Sequence, residues 1–200
     1  MLDFNAAKDF ILSELGAKLP QNLTYHGLWH TKDVYRAAGD FVQCYSLGKE
    51  DAIILETAAL YHDSGFLRVY RNHEEEGCKI AAEVLPGFGY SEAQIVAINE
   101  LIMATKIPQT PLNFLSELIC DSDLDYIGGD DYEKIAHLLF EEFKEYHIVT
   151  TEVQWYEMQV GFLTAHNFFS DFSREHRNPG KHKNLAIVME KLKSLKSNEE

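Results

Sequence analysis

Four residues spread along this 200-residue chain carry side chains that bind metal ions: His30, the adjacent pair His62-Asp63, and Asp123. Imidazole supplies nitrogen and carboxylate supplies hard oxygen. Two of each suit one divalent transition metal ion (Mn, Fe, Co, Ni or Zn; Mg also fits) better than Ca, which prefers an all-oxygen shell. An adjacent His-Asp pair reaches one ion only where a helix end leaves helical geometry, so the other ligands must come from elsewhere in the chain. Three aspartates compete for the last position: Asp121, Asp123 and Asp125. Leu112, Leu115, Ile119 and Asp123 follow the 3–4 spacing of one helix face, so Asp123 is expected to continue a buried face. Asp121, on the side of Glu117, is the alternative. An EF-hand reading of DSDLDY fails, because Tyr126 stands where the loop needs Gly and Tyr132 where it needs Glu.

Helical periodicity dominates the elements that must position these groups. A first helix carries Phe4, Ala7, Phe10, Ile11 and Leu15 and ends near Gly16 and Pro20. A second, about Leu28 to Leu47, puts His30, Val34, Ala37, Phe41 and Tyr45 on one face. A third runs from about Lys49 to His62, and an irregular stretch, Ser64 to Asn72, follows. A fourth, with His73, Gly77, Ile80 and Val84 on one face, stops at Pro86-Gly87. Ser91 and Gln94 form a capping box for a fifth, which carries Ile95, Ile98, Leu101, Ile102 and Thr105. A sixth is expected from about Leu112 into DSDLD, stopping by Gly128-Gly129. Two amphipathic segments, about Asp131–Tyr146 and Thr151–Phe172, precede a Lys-rich helix at about Lys183–Ser197 whose last residues are expected to fray. With no repeat, linker or alternating β pattern, the expectation is a single all-α domain over residues 1–200.

Composition excludes several partners. A formal net charge of −14 argues against nucleic acid polymers, whose phosphates need Lys/Arg stripes, and against an anionic membrane surface. No run approaches about 18 apolar residues, so no membrane span is expected. The opening MLDFNAAKDF has neither a basic n-region nor a signal-like apolar core. Cys44, Cys78 and Cys120 are odd in number and lack CxxC spacing. They read as reduced, mostly buried thiols in a cytoplasmic protein.

The order His30…His62-Asp63…Asp123 resembles the HD-domain superfamily of metal-dependent phosphohydrolases. Its flanks resemble that family too: YHGLWHTKDV the entry segment, LETAALYHDSGF the HD helix, and NHEEEG and ICDSDLDYIGG two further signatures. The resemblance covers about residues 23–130, and more loosely the tail at FLTAHNFF, with C-terminal helices over about 131–197. It implies an HD-type helical bundle with a metal site at its centre. It also implies hydrolysis of a phosphate ester or anhydride of a small, nucleotide-like substrate by metal-activated water. The interval between the HD pair and the last Asp holds one further histidine, His73, where binuclear members have two. This favours one ion, and weighs against an oxygenase on the same fold and against direct equivalence to cyclic-nucleotide phosphodiesterases. Two other branches place an acid just after HD, where this chain has Ser64, Gly65, Phe66 and Leu67. A catalytically silent ligand-binding HD domain is the remaining alternative, against which the intact set of four ligands speaks.

The YHxxxH spacing of His26 and His30 resembles the phosphodiesterase entry, where the first histidine donates a proton; His26 otherwise packs at a helix start. His73 and Glu74 open a helix whose first turn faces the expected metal, where they orient water or substrate, or His73 holds a second, weaker ion. The alternative is an ordinary acidic first turn, the reading preferred for Glu75 and Glu76. Histidine is the usual acid or base near neutral pH, so His26 and His73, with Asp63 to hold a water proton, are the catalytic candidates. Arg68, Arg71 and Lys106 are candidates to grip phosphate. The basic cluster Arg174, Arg177, Lys181, His182 and Lys183 reads as a solvated loop. His137, His147 and His176 read as surface residues and His166 as a core histidine. Trp155, Tyr156, Phe162, Phe168 and Phe169 read as core or as the face of a homodimer.

Overall fold

The apolar stretch ending at His62 is the helix around which the helices of the N-terminal part pack. In the computed structural model, which describes residues 1–197, all regular structure is helical. The elements are α1 (Phe4–Lys18), α2 (Leu28–Cys44), α3 (Lys49–Tyr61), α4 (His73–Val84) and α5 (Glu92–Ala104). They continue with α6 (Phe114–Asp123), α7 (Tyr132–Glu145), α8 (Glu152–Ala165), α9 (Asp171–His176) and α10 (Asn178–Ser197). No strand occurs among the described residues, and no helix is long and apolar enough to cross a membrane. The last helix, whose end was expected to fray, runs to Ser197, and residues 198–200 lie outside the described ones.

The chain divides into two compact units, Met1–Leu124 and Asp125–Glu200. In the first, α3 is apolar nearly all round, with Ile54, Leu55, Thr57, Ala58, Ala59, Leu60 and Tyr61 buried, and so needs neighbours on every side. α1, α2, α4, α5 and α6 all pack against it. Its polar atoms are paired within the core: Thr57 meets the Tyr90 hydroxyl at 2.8 Å, and the Tyr61 hydroxyl donates to the Ala7 carbonyl at 3.1 Å. The expected capping box forms at the start of α5, with Ser91 and Gln94 bonded reciprocally.

The chain leaves α3 through a 3-10 turn, Ser64–Leu67, that lies against the start of α4. Gly65 is required there. A Cβ at this position would fall 1.9 Å from the His73 carbonyl oxygen. A Cβ on Gly77 is already tight, at 3.2 Å from the carbonyl oxygens of Tyr61 and His62. Together the two glycines let α4 approach the His62-Asp63 turn backbone to backbone.

The second unit buries Tyr132, Ile135, Ala136, Phe140, Trp155, Leu163, Phe168 and Val188. Its polar interior is satisfied locally. The Tyr132 hydroxyl donates to Gln159 Oε1 at 2.7 Å, and Asn184 Nδ2 donates to the carbonyls of Ile127 and Gly129 at 3.0 Å.

Three boundaries differ from the sequence reading. α6 starts at Phe114, two residues after Leu112, because Asn113 and Ser116 form a capping box there. The segment expected to be helical over Thr151–Phe172 breaks at Ala165, where His166 turns extended (ψ 138°) and Ser170 caps a new short helix. α10 begins at Asn178 rather than near Lys183, so the basic cluster is not a solvated loop. Arg177 pairs with Asp125 at 2.5 and 2.8 Å. Lys181 is buried and donates to the His166 carbonyl at 2.5 Å. The cysteines are free, but Cys44 is exposed and only Cys120 is fully buried.

Candidate metal centre

α2 brings His30 in through its first turn, just after Gly27. α3 ends at Tyr61, so His62 and Asp63 occupy the place where helical geometry is left: His62 is still α-helical (φ −54°, ψ −42°), and Asp63 is not (φ −98°, ψ 5°). The last carbonyls of a helix have no partner within it. Here side chains of the turn take two of them. His62 Nδ1 donates to the Ala59 carbonyl at 2.8 Å, and Ser64 Oγ donates to the Tyr61 carbonyl at 2.7 Å. With its Nδ1 proton on Ala59, the ring directs Nε2 away from the helix, the outer-sphere arrangement that orients metal-ligating histidines.

α6 delivers Asp123 from its last residue. His30, His62 and Asp123 each offer a ligand atom, all within 4.8 Å of one another, so the group can hold a metal ion. His30 Nε2 lies 3.2 Å from Asp123 Oδ1 and 3.5 Å from Asp63 Oδ2. His62 Nε2 lies 3.2 Å from Asp63 Oδ2 and 3.5 Å from Asp123 Oδ1. Yet His62 Nε2 and Asp63 Oδ2 are both buried with no hydrogen-bond partner. Two orphaned lone-pair groups, one nitrogen and one oxygen, converging in the core, are costly unless a third species takes both. A metal ion is a species that could take both.

The electrostatics of the bare cluster favour a positive charge. Burial opposes charging His62, but the carboxylates of Asp63 and Asp123 outweigh it and hold the imidazole well above its ordinary value. Burial pushes Asp63 up, and His62, His73 and His26 outweigh it, leaving this carboxyl well below the usual range. For Asp123 burial is overcome by His30 and His62, which hold it at about 2. A proton on His62 thus occupies the place a cation fits.

Asp123 stands in the group and Asp121 does not, but the reason is not the face expected from sequence. Leu112 is 88 % exposed and precedes the helix, and Asp121 is fully buried with interactions of its own. What selects Asp123 is its place in the last turn of α6, opposite His30. Asp125 is taken by Arg177.

His73, the first residue of α4, reaches Asp63 from the other side, with Nε2 3.3 Å from Oδ1 and 3.6 Å from Glu74 Oε1. Burial lowers its pKa and Asp63 raises it, and the net shift is upward. Glu74 is buried, unlike its neighbours Glu75 and Glu76. His26 lies 6.0 Å from the His73 ring and 6.0 Å from the His30 ring, centroid to centroid. Both candidate proton donors therefore lie beside the cluster.

The candidate phosphate grips fare differently. Arg68 is paired with Glu76 at 3.0 Å and with Glu83 at 2.7 Å, and Lys106 is paired with Glu75. Arg71 is exposed and, among the described residues, has no ion-pair partner. His137, His147 and His176 are exposed, and His166 is half-buried against Phe162 and Phe168.

Two groups escaped the sequence reading. The Ala59 carbonyl was legible in principle, because a histidine closing a helix finds the free carbonyl three residues back. Phe66, whose ring lies 4.5 Å from His26 and 4.0 Å from His73, was not, because its place depends on a 3-10 turn that carries no periodicity signal. A hollow of about 540 Å³, lined by Glu75, Cys78, Asn99, Met103 and Ser116, includes none of the cluster residues. The ligating groups, not that cavity, locate the centre. Comparison of the chain with known protein families, with curated proteins and with solved structures returns no match.

Proposed function

We propose that this chain is a metal-dependent phosphohydrolase of the HD type, acting on a small phosphorylated, nucleotide-like substrate. The observation that carries the reading is the group of His30, His62 and Asp123, with Asp63 Oδ2 within 3.5 Å of both histidines and with His62 Nε2 and Asp63 Oδ2 left for a cation. These four residues would hold the ion, His62 in the orientation fixed by Ala59. A divalent ion bound there supplies Lewis-acid activation of water and of a phosphoryl oxygen.

The rest of the chemistry falls to the chain. Asp63 is shared: Oδ2 faces the two ligand histidines and Oδ1 meets His73. Its Oδ1 accepts a proton from an attacking water or fixes the protonated ring of His73. His73 Nε2 holds a proton beside the cluster and can deliver it to the leaving oxygen, and His26 is the second donor on the same side. Arg68 and Lys106 are occupied by glutamates, so Arg71 is the cation left to meet the substrate phosphate.

The test combines elemental analysis with turnover. Wild-type protein is expected to carry one equivalent of a transition metal. With Mn, Fe, Co, Ni or Zn supplied, it is expected to release phosphate or cleave a diester in a panel of phosphorylated metabolites. Asp63→Ala is expected to lose both metal and turnover while melting as a folded protein. Full metal loading of that variant refutes the ligand assignment. Wild-type protein that carries iron, consumes oxygen and cleaves no phosphate compound refutes the phosphohydrolase reading.

A further inference from the structure

We propose that Phe66 is the positioning residue for both proton donors, holding the His26 and His73 rings toward Asp63. This rests on the reading of the two histidines given above. The Phe66 ring stacks on His73 at 4.0 Å with 19° between the planes, and on His26 at 4.5 Å with 29°. One aromatic ring thus contacts both imidazoles, one from the segment just before α2 and the other from the start of α4.

The contrast with His62 shows why such a support is needed. His62 is locked by its bond to a main-chain carbonyl. The polar contacts of the His73 ring are to the Asp63 and Glu74 carboxylates, at 3.3 and 3.6 Å. A carboxylate contact alone leaves an imidazole free to swing about its Cβ–Cγ bond, because the partner rotates with it. A stacked ring fixes the plane, and the plane decides where the Nε2 proton points. Displacing a reacting group by about 1 Å costs roughly 100-fold in rate.

Phe66 itself has little freedom. It is 4 % exposed, its backbone N–H donates to the Asp63 carbonyl at 3.1 Å, and Tyr70 lies edge-on to it at 5.4 Å. The turn that presents Asp63 therefore also sets the ring three residues later, and Gly65 lets that turn seat against the His73 carbonyl. Asp63, His73 and His26 are then registered to one another through a single short segment. Phe66 has His26, His73 and Tyr70 as its ring neighbours.

The test uses the full chain loaded with Zn, with Phe66→Leu and Phe66→Met as non-aromatic replacements and Phe66→Tyr as the conservative one. In wild-type protein the imidazole proton resonances of His26 and His73 should show the upfield displacement of a ring stacked above them. Both should lose it in the Leu and Met variants and keep it in the Tyr variant. Metal content should be unchanged throughout. With any substrate the wild type cleaves, kcat should fall roughly 10- to 100-fold in the Leu and Met variants. KM should change little, and Tyr should restore most of the rate. Histidine resonances at their wild-type positions in a folded Leu or Met variant overturn the proposal. So does metal loss in parallel with kcat, which would assign Phe66 to packing alone. Wild-type protein that cleaves no phosphate compound removes the phosphohydrolase reading, and the resonances still decide the placement of the rings.

Discussion

Asp63 and Glu76 are both carboxylates beside a base, and they meet opposite fates. Glu76 lies on the solvent side of α4 and is paired with Arg68 and Lys79 at 3.0 and 2.7 Å. Asp63 is buried among imidazoles, yet its Oδ2 has no hydrogen-bond partner. At the rim Arg68, Lys79 and Lys106 are each matched by a glutamate of the chain itself. In the cluster, nitrogen and oxygen lone pairs converge and are left open. Unmatched nitrogen and oxygen atoms that converge on one point in the core can take up a cation, whereas a matched pair on the surface is satisfied without one. The sequence could not separate the two, because both regions read as histidines, acids and bases at plausible spacing.

The sharpest way to break this contrast is His62→Ala. It removes the candidate ligand that is bonded to a main-chain carbonyl, and takes from Asp63 and Asp123 the imidazole at 3.2 and 3.5 Å, leaving them with His30 and His73. Metal content should fall to background, and the metal-free variant should melt well below metal-free wild type, because buried charge that loses a partner is costly. Elemental analysis and a calorimetric melt measure both. Retained stoichiometric metal would mean that the orphaned Nε2 is not a ligand position.

How much of this was legible depended on whether a residue's role is local. The helices around the site followed from periodicity and capping, and Ser91 with Gln94 is the clearest case. His30, His62, Asp63 and Asp123 were legible as types in an order. Their convergence was not, since it needs α2, α3 and α6 to meet. The face argument for Asp123 failed because α6 starts at Phe114, so Leu112 never belonged to the helix that set the phase. Arg68 and Lys106 looked like free cations because their glutamate partners lie on the next turn of structure, across a loop, where spacing carries no information. His73 was legible as the first residue of a helix, but its approach to Asp63 was not, since it depends on Gly65 and Gly77 seating that helix against the His62-Asp63 turn.

A second, smaller effect is carried by pH. The His62 pKa is raised in the folded protein, so its contribution to metal-free stability is full below about 6.5 and is lost as pH rises through the folded value. Asp63 and Asp123 are depressed, so theirs is present above 3.8 and is lost as pH falls, through about 2 for Asp123. The metal-free cluster therefore stabilises the fold most between about pH 4 and 6.5. Metal needs His62 without its Nε2 proton, so uptake competes with protonation and strengthens with pH. The rise in Tm on adding Zn should grow from pH 6 to pH 8, while metal-free Tm drifts down. Melting curves with and without metal at each pH measure it. A metal-induced rise that shrinks over that range would take His62 out of the ligand set.

The smallest effects belong to the rim. Arg68 is 43 % exposed at the side chain and Lys106 39 %, so solvent screens both pairs and the long side chains lose freedom in making them. Arg68→Ala and Lys106→Ala should leave metal content at the wild-type level and move Tm far less than His62→Ala does. Because each cation already answers a glutamate, its removal should also lower turnover less than Arg71→Ala, whose guanidinium answers none. Steady-state rates of the three variants on one substrate rank them directly. If Arg68→Ala proves the most damaging, the Glu76 and Glu83 pairs open when substrate arrives, and the rim then belongs to the site rather than to the surface around it.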